Sequence, residues 1–167
     1  FKGIYENIHI INRLRIPITI FVITSFIGKE NFLTSQQIQE LIKNPFVRIE
    51  SHSHTHVDLT SLSAHELEIE LSQSKSILKE ICKKEINSLS YPEGLFNRNV
   101  ITFAENFYTK QYSSVPGSYY NEDFPSVKKR SLVQFASEKE FQNILIGGDH
   151  ILSLWYKLKH FKKWEYA

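Results

Sequence analysis

Apolar residues recur along the chain in alternating helical and extended patterns. Ile4, Ile8, Ile11 and Leu14 fall at spacings of four, three and three, which places them on one face and predicts a helix over 4–14, closed by Pro17. The run Ile18-Thr19-Ile20-Phe21-Val22-Ile23 is almost entirely β-branched or aromatic and reads as a strand buried on both faces, as in parallel sheets. Thr34 with Gln37 three residues on forms a capping-box pattern ahead of Ile38, Leu41 and Ile42 on one face of a second helix. Residues 46–50 then read as a short strand.

Ser63 and Glu66 repeat the capping box, and Leu67, Leu71, Ser74, Leu78 and Ile81 trace a stripe that carries a long helix. Residues 87–91 and 110–113 read as strands, separated by a helix that Asn97 caps and that uses Val100, Ile101, Ala104 and Phe107. A turn-rich segment over 116–125 precedes a predicted strand over 127–135. Ser137 with Glu140 caps a helix holding Phe141, Ile144 and Leu145, ended by Gly147-Gly148. A last amphipathic helix sets Ile151, Leu152, Trp155 and Leu158 against Lys157, Lys159, Lys162 and Lys163; its basic side reads as a solvated face, with an anionic membrane or a partner as the alternative. Strand and helix thus take turns about five times with short connections, the pattern of βαβ units around a parallel sheet, either doubly wound or closed as a barrel. The chain opens on a helix where such a unit should open on a strand, so one strand is expected ahead of Phe1. Sites in these folds gather at the carboxyl ends of strands.

Composition narrows this picture. With 167 residues, 41% apolar and 23% charged, the chain suits one domain over 1–167 with a real core. Twenty basic against 18 acidic side chains leave a net charge of only +2, which argues against a nucleic-acid partner. The single cysteine, Cys82, excludes an intramolecular disulfide and a thiolate zinc cage, and leaves the compartment open. The longest apolar stretch, 16–27, is broken by Pro17, Thr19, Thr24 and Ser25 and falls short of the roughly 20 residues a membrane helix needs. The first residues do not resemble a signal peptide, and the sequence contains no Met, so its beginning reads as missing.

Directly after the predicted strand 46–50 comes Ser51-His52-Ser53-His54-Thr55-His56-Val57-Asp58-Leu59-Thr60. His52 and His56 are four apart, so on a helical turn or in a tight loop both imidazoles can face one divalent ion, with His54 pointing elsewhere. Seven histidines in 167 positions give about 0.3 such pairs by chance, so the spacing alone is weak. Position strengthens it, because unsatisfied imidazoles at a strand end are costly to bury unless something ligates them. A solvated or hydrogen-bonded loop is the alternative. His9, His65 and His160 fall on predicted helices without partners at ligand spacing and read as surface residues.

The same stretch resembles the H-[ST]-x-x-H-x-D-L-[ST] segment of the polysaccharide deacetylases, the NodB-homology group of carbohydrate esterases. Ser90-Tyr91-Pro92-Glu93-Gly94-Leu95-Phe96-Asn97 is similar to that family's Y-P-x-G-x-x-N segment, and Lys129-Arg130 matches a later Lys-Arg pair. Phe1-Lys2-Gly3-Ile4-Tyr5-Glu6-Asn7 is similar to the stretch directly after the family's first motif, T-F-D-D-G. The resemblance implies a distorted (β/α) barrel of fewer than eight units whose first strand is absent here. It implies a metal-dependent hydrolase that removes N-acetyl groups from the amino sugars of a polysaccharide or oligosaccharide.

By the same resemblance, His52 and His56 would hold the divalent ion, zinc first with cobalt or nickel as alternatives. The Glu93 backbone N–H would meet the oxyanion, Arg130 would orient a catalytic carboxylate, and Tyr91 and Pro92 would shape the substrate wall. An Arg at a strand end also suits a plain ion pair, and Tyr91 and Pro92 also suit a turn with a core aromatic. Both aspartates of T-F-D-D-G, the family's base and third metal ligand, have no counterpart: the sequence holds only Asp58, Asp123 and Asp149. Asp58 matches a position suited to turn or cap bonding. The late L-H-D motif, source of the general acid, is not recognisable, which leaves His150 a candidate by chemistry alone. A pseudoenzyme or carbohydrate-binding module on the same fold, or an ester hydrolase, is the competing expectation.

Overall fold

The computed structural model describes residues 2–117, 124–134 and 136–148. Its centre is a five-stranded, wholly parallel sheet in the order β1-β2-β3-β4-β5, formed by β1 (Ile18–Val22), β2 (Val47–Ser51), β3 (Ser88–Ser90), β4 (Lys110–Tyr112) and β5 (Val127–Lys128). The first four strands are joined through the helices Ser35–Leu41, Ala64–Cys82 and Arg98–Ala104, so each neighbouring strand runs the same way. With two short helices ahead of β1, α1 (Lys2–Glu6) and α2 (Ile8–Leu14), these become α3, α4 and α5. This is the expected α/β architecture, with fewer strands than a full barrel.

Register explains the two faces. Val22, Ser51, Leu89, Gln111 and Val127 form one row across the sheet, and none is more than 8% exposed. That row packs beneath the helices with Ile38 and Leu41 of α3, Leu67, Leu71 and Leu78 of α4, and Val100 and Ala104 of α5. Burial of these apolar side chains is the main driving force for the fold, at about 1.5–3 kcal/mol each. The opposite face carries Phe21, Glu50, Ser90 and Tyr112 and is only partly filled.

Helix starts are set locally. Thr34, Ser63 and Ser137 each accept from the N3 backbone while Gln37, Glu66 and Glu140 return the bond, completing three capping boxes. Asn97 accepts from Val100 N at 2.9 Å and starts α5.

Four expectations need correction. The helix predicted over 4–14 is two helices, α1 and α2, because Asn7 turns its side-chain amide onto Gly3 O at 2.8 Å and leaves helical geometry. β1 is buried on one face only: it is the edge of the described sheet, and Thr19 and Phe21 look onto the partly filled side. The strand predicted over 127–135 ends at Lys128, since Arg130 N donates to Val115 O and draws the chain away, leaving Leu132 69% exposed. The helix α6 (Glu138–Leu145) forms as capped, yet Phe141 and Leu145 lie exposed rather than in the core. The amphipathic stretch from Ile151 lies outside the described residues.

Candidate active site

Three strand ends converge on one cleft of about 520 Å³, bordered by His52, Ser90, Tyr91, Glu93, Ser114 and Arg130, with β1 as its further wall. It opens on the partly filled face of the sheet, at the carboxyl ends of the strands, where parallel folds place their chemistry.

His52 follows β2 directly, its backbone N held by Val22 O at 2.9 Å. Its Nδ1 lies 2.7 Å from Ser90 O at the end of β3. A carbonyl only accepts, so Nδ1 carries the proton and Nε2 keeps its lone pair, the tautomer a metal ligand requires. Burial pushes the imidazole pKa down to about 4, helped by His56 and Arg130 and opposed by the Ser90 bond, so the ring is neutral at physiological pH. His56 meets it edge to face, with ring centroids 4.8 Å apart. His54 turns away, its Nδ1 2.7 Å from Thr24 Oγ1. His9 and His65 are exposed.

The segment between the two rings is a tight loop rather than a helical turn. Ser53 and His56 both adopt φ of +65°, a region that non-glycine residues enter only when their surroundings impose it. Ser53 Oγ accepts from His56 N at 3.1 Å, and Ser51 Oγ accepts from Ser53 N at 3.2 Å. Beneath them Ser51, Ser74 and Tyr108 share a buried hydroxyl network. Glu70 of α4, 6% exposed, accepts from Thr55 N and Thr55 Oγ1. Sequence patterning overlooked Glu70, although a carboxylate between Leu67 and Leu71 on a buried stripe is its signal.

Arg130 is braced on three sides. Its Nε donates to Ser113 O at 2.9 Å, a terminal nitrogen donates to Ser90 Oγ at 2.7 Å, and the guanidinium lies 5.1 Å over Phe21 and 5.5 Å over Tyr112. Burial lowers its pKa from the ordinary value. No carboxylate pairs with it among the described residues, where Lys79–Glu85 is the single ion pair. The plain ion pair considered from sequence is therefore not what the described residues form.

Tyr91, Pro92 and Glu93 lead out of β3 into the 3-10 turn Pro92–Gly94. Tyr91 reaches the cleft wall, but its ring is 1% exposed, stacks on Phe96 at 5.1 Å and donates its hydroxyl to Gln111, so it supports the wall from behind. Pro92 is likewise buried. Glu93 sits at φ +54°, exposed at the cleft, and its N–H makes no hydrogen bond among the described residues. Asp58 caps the turn Leu59–Ser61, accepting from Thr60 N at 2.9 Å and from Thr60 Oγ1 at 2.7 Å. His150 lies outside the described residues.

The donor set fits a divalent ion in part. Two imidazoles face each other with one tautomer fixed, but no third His, Cys, Asp or Glu joins them among the described residues.

Comparison with known proteins identifies the family and the fold. Residues 4–112 match the family model described as polysaccharide deacetylase. The poly-beta-1,6-N-acetyl-D-glucosamine N-deacetylase of Staphylococcus aureus strain MSSA476 is 32% identical over 110 residues, spanning 58% of this chain and 38% of that protein. A Bacillus cereus polysaccharide deacetylase superposes with a TM-score of 0.78 at 22% identity, over 86% of this chain and 48% of its own. A Streptococcus pyogenes deacetylase in complex with acetate gives 0.77 at 20% identity, over 84% and 64%. The chain therefore spans less than half the length of the first two.

Proposed function

Because this chain belongs to the polysaccharide deacetylase family, we propose that it serves a metal-dependent hydrolase removing N-acetyl groups from the amino sugars of a polysaccharide. The observation that carries the reading is the pair His52 and His56, facing each other at 4.8 Å beside an open cleft, with His52 Nδ1 locked on Ser90 O.

In this reading His52 and His56 hold a divalent ion, zinc first and cobalt or nickel as alternatives, and a carboxylate from outside the described residues completes its ligands. Such an ion supplies Lewis acidity to the amide carbonyl and to the attacking water. The remaining work falls to the chain. Ser90 O keeps His52 in the neutral, metal-accepting tautomer. The Glu93 N–H, which makes no hydrogen bond among the described residues, would donate to the oxyanion that develops as the carbonyl is attacked. Arg130, desolvated and without a carboxylate among the described residues, orients the carboxylate that takes the water's proton. Glu93 and Arg130 border the cleft without pairing, so the Glu93 side chain does not neutralise the guanidinium. His150 remains a candidate for protonating the leaving amine on chemistry alone.

A second reading, a carbohydrate-binding module without turnover, is favoured by one observation: Asp58, the one aspartate among the described residues, does not border the cleft and is engaged as a cap. Acetate release separates the two. Oligomers of β-1,6-linked N-acetylglucosamine, taken from the named activity of the staphylococcal relative, are offered with zinc or cobalt. Release that a chelator abolishes supports the hydrolase. Chelator-insensitive binding without release supports the module.

A further inference from the structure

Two left-handed, non-glycine residues within one four-residue span need an external cause. Each such conformation costs on the order of 1–3 kcal/mol and persists only where neighbours over-determine it. Ser53 and His56 are those residues, both at φ +65°. The amino-terminal half of the loop is held from beneath: Thr24 N donates to Ser53 O at 3.3 Å, Ser25 N to His54 O at 2.9 Å, and Ser74 Oγ to Ser53 O at 3.0 Å. The half that delivers His56 has two further ties: His56 N donates to Ser53 Oγ at 3.1 Å, and Thr55 is held by a carboxylate. Thr55 lies at the exposed crest, and directly below it Glu70 reaches out of the buried face of α4. Its Oε1 accepts from Thr55 N, and Thr55 Oγ1 donates to the same carboxylate at 3.1 and 3.0 Å from its two oxygens.

Glu70 is placed at a cost. It is 6% exposed, lies among Leu67, Leu71 and Ser74, and has no cation within ion-pair distance among the described residues. A carboxylate desolvated without a counter-charge is tolerated where its hydrogen bonds do something an apolar side chain cannot. Here they clamp the residue immediately before His56.

We propose that Glu70 is a positioning residue, which through Thr55 holds His56 in its left-handed turn and so sets the edge-to-face approach of the His52 and His56 imidazoles. The inference rests on reading those two rings as metal ligands only for its consequence on metal affinity. The ring geometry itself is independent of any ion. Glu70 touches neither substrate nor ion in this arrangement; it acts one residue away, as groups behind metal ligands do.

The experiment uses the 167-residue chain with Glu70→Leu, Glu70→Gln and the double variant Thr55→Val with Glu70→Asp. Two readings are taken on each: the nuclear Overhauser contact between the His52 and His56 rings without metal, and zinc affinity by calorimetry. Gln preserves an acceptor for Thr55 N and offers a donor to Thr55 Oγ1, so Glu70→Gln keeps both readings close to the parent. Glu70→Leu fills the volume without an acceptor; the ring contact is lost and zinc binds about 10- to 100-fold more weakly. A folded Glu70→Leu chain that retains the contact and the affinity overturns the proposal. Should that variant not fold, Thr55→Val combined with Glu70→Asp decides: Val removes the hydroxyl bonds, the carboxylate shortened by one methylene withdraws from Thr55 N, and an unaltered ring contact in the double variant overturns the proposal equally. If the parent binds no zinc while its rings still touch, the metal reading fails, and the ring contact alone decides the role of Glu70.

Discussion

The imidazoles of His52 and His56 face each other at 4.8 Å although no helix connects them; two left-handed residues bend the loop back on itself. Zinc affinity should therefore fall by about 10-fold or more in His52→Ala and in His56→Ala. His54→Ala should bind as the parent does, because His54 is committed to Thr24. Calorimetry on the three variants checks this, and equal losses in all three would point to a general effect on the loop instead of two specific ligands.

Arg130 does what a lysine cannot. Its planar fork bonds Ser113 O and Ser90 Oγ at once while lying over Phe21 and Tyr112. Arg130→Lys keeps the charge but loses the fork, and urea unfolding should report about 1–2 kcal/mol of lost stability. An unfolding midpoint equal to the parent's would show that the bracing contributes nothing to the fold.

Gly94 continues the turn beyond Glu93 at φ +72°, and a Cβ there would stand 2.8 Å from Ser114 Cβ. Gly94→Ala should cost about 1–3 kcal/mol from the combined backbone strain and overlap. Adding Ser114→Gly should restore part of this and not all, since it relieves the contact but leaves the backbone angle. Complete restoration in the double variant would assign the whole cost to the clash.

Cys82 is 5% exposed at the end of α4, and burial pushes its thiol pKa up to about 11. The shift is upward, so the unreactive thiol form persists through neutral and mildly alkaline conditions, and thiolate appears only as pH approaches that value. At about pH 8, alkylation of the folded chain should run about 100-fold or more slower than in urea, where the thiol returns to its ordinary pKa. Equal rates would mean that the carboxy-terminal turn of α4 is open in solution.

Much of the architecture was legible because its signals are local. A Ser or Thr with Glu or Gln three residues later formed a closed cap in all three places, and Asn97 capped α5 as its position suggested. The His52–His56 pairing and the diversion of His54 were legible from spacing at a strand end. The features that escaped depend mostly on partners distant in sequence. The strand at Val127 ends early because Arg130 N finds Val115 O, and β1 shows an open side because Thr19 and Phe21 look onto the partly filled face of the sheet. Asn7 breaks the first helix through a bond to a nearby backbone carbonyl, which periodicity does not register. Glu70 hid within an apolar stripe whose regularity concealed the one carboxylate in it. Tyr91 and Pro92 carried a family resemblance that said nothing of which way a ring faces, and packing turned Tyr91 inward.

Ser90 accepts at two of its atoms: its carbonyl oxygen from His52 and its hydroxyl from Arg130. The His52 imidazole and the Arg130 guanidinium are thus hinged to a single residue at the tip of β3. Sliding that strand by a fraction of an ångström would carry both groups together, so the two sides of the cleft are tuned jointly, and a substitution that reshapes one should leave its mark on the other.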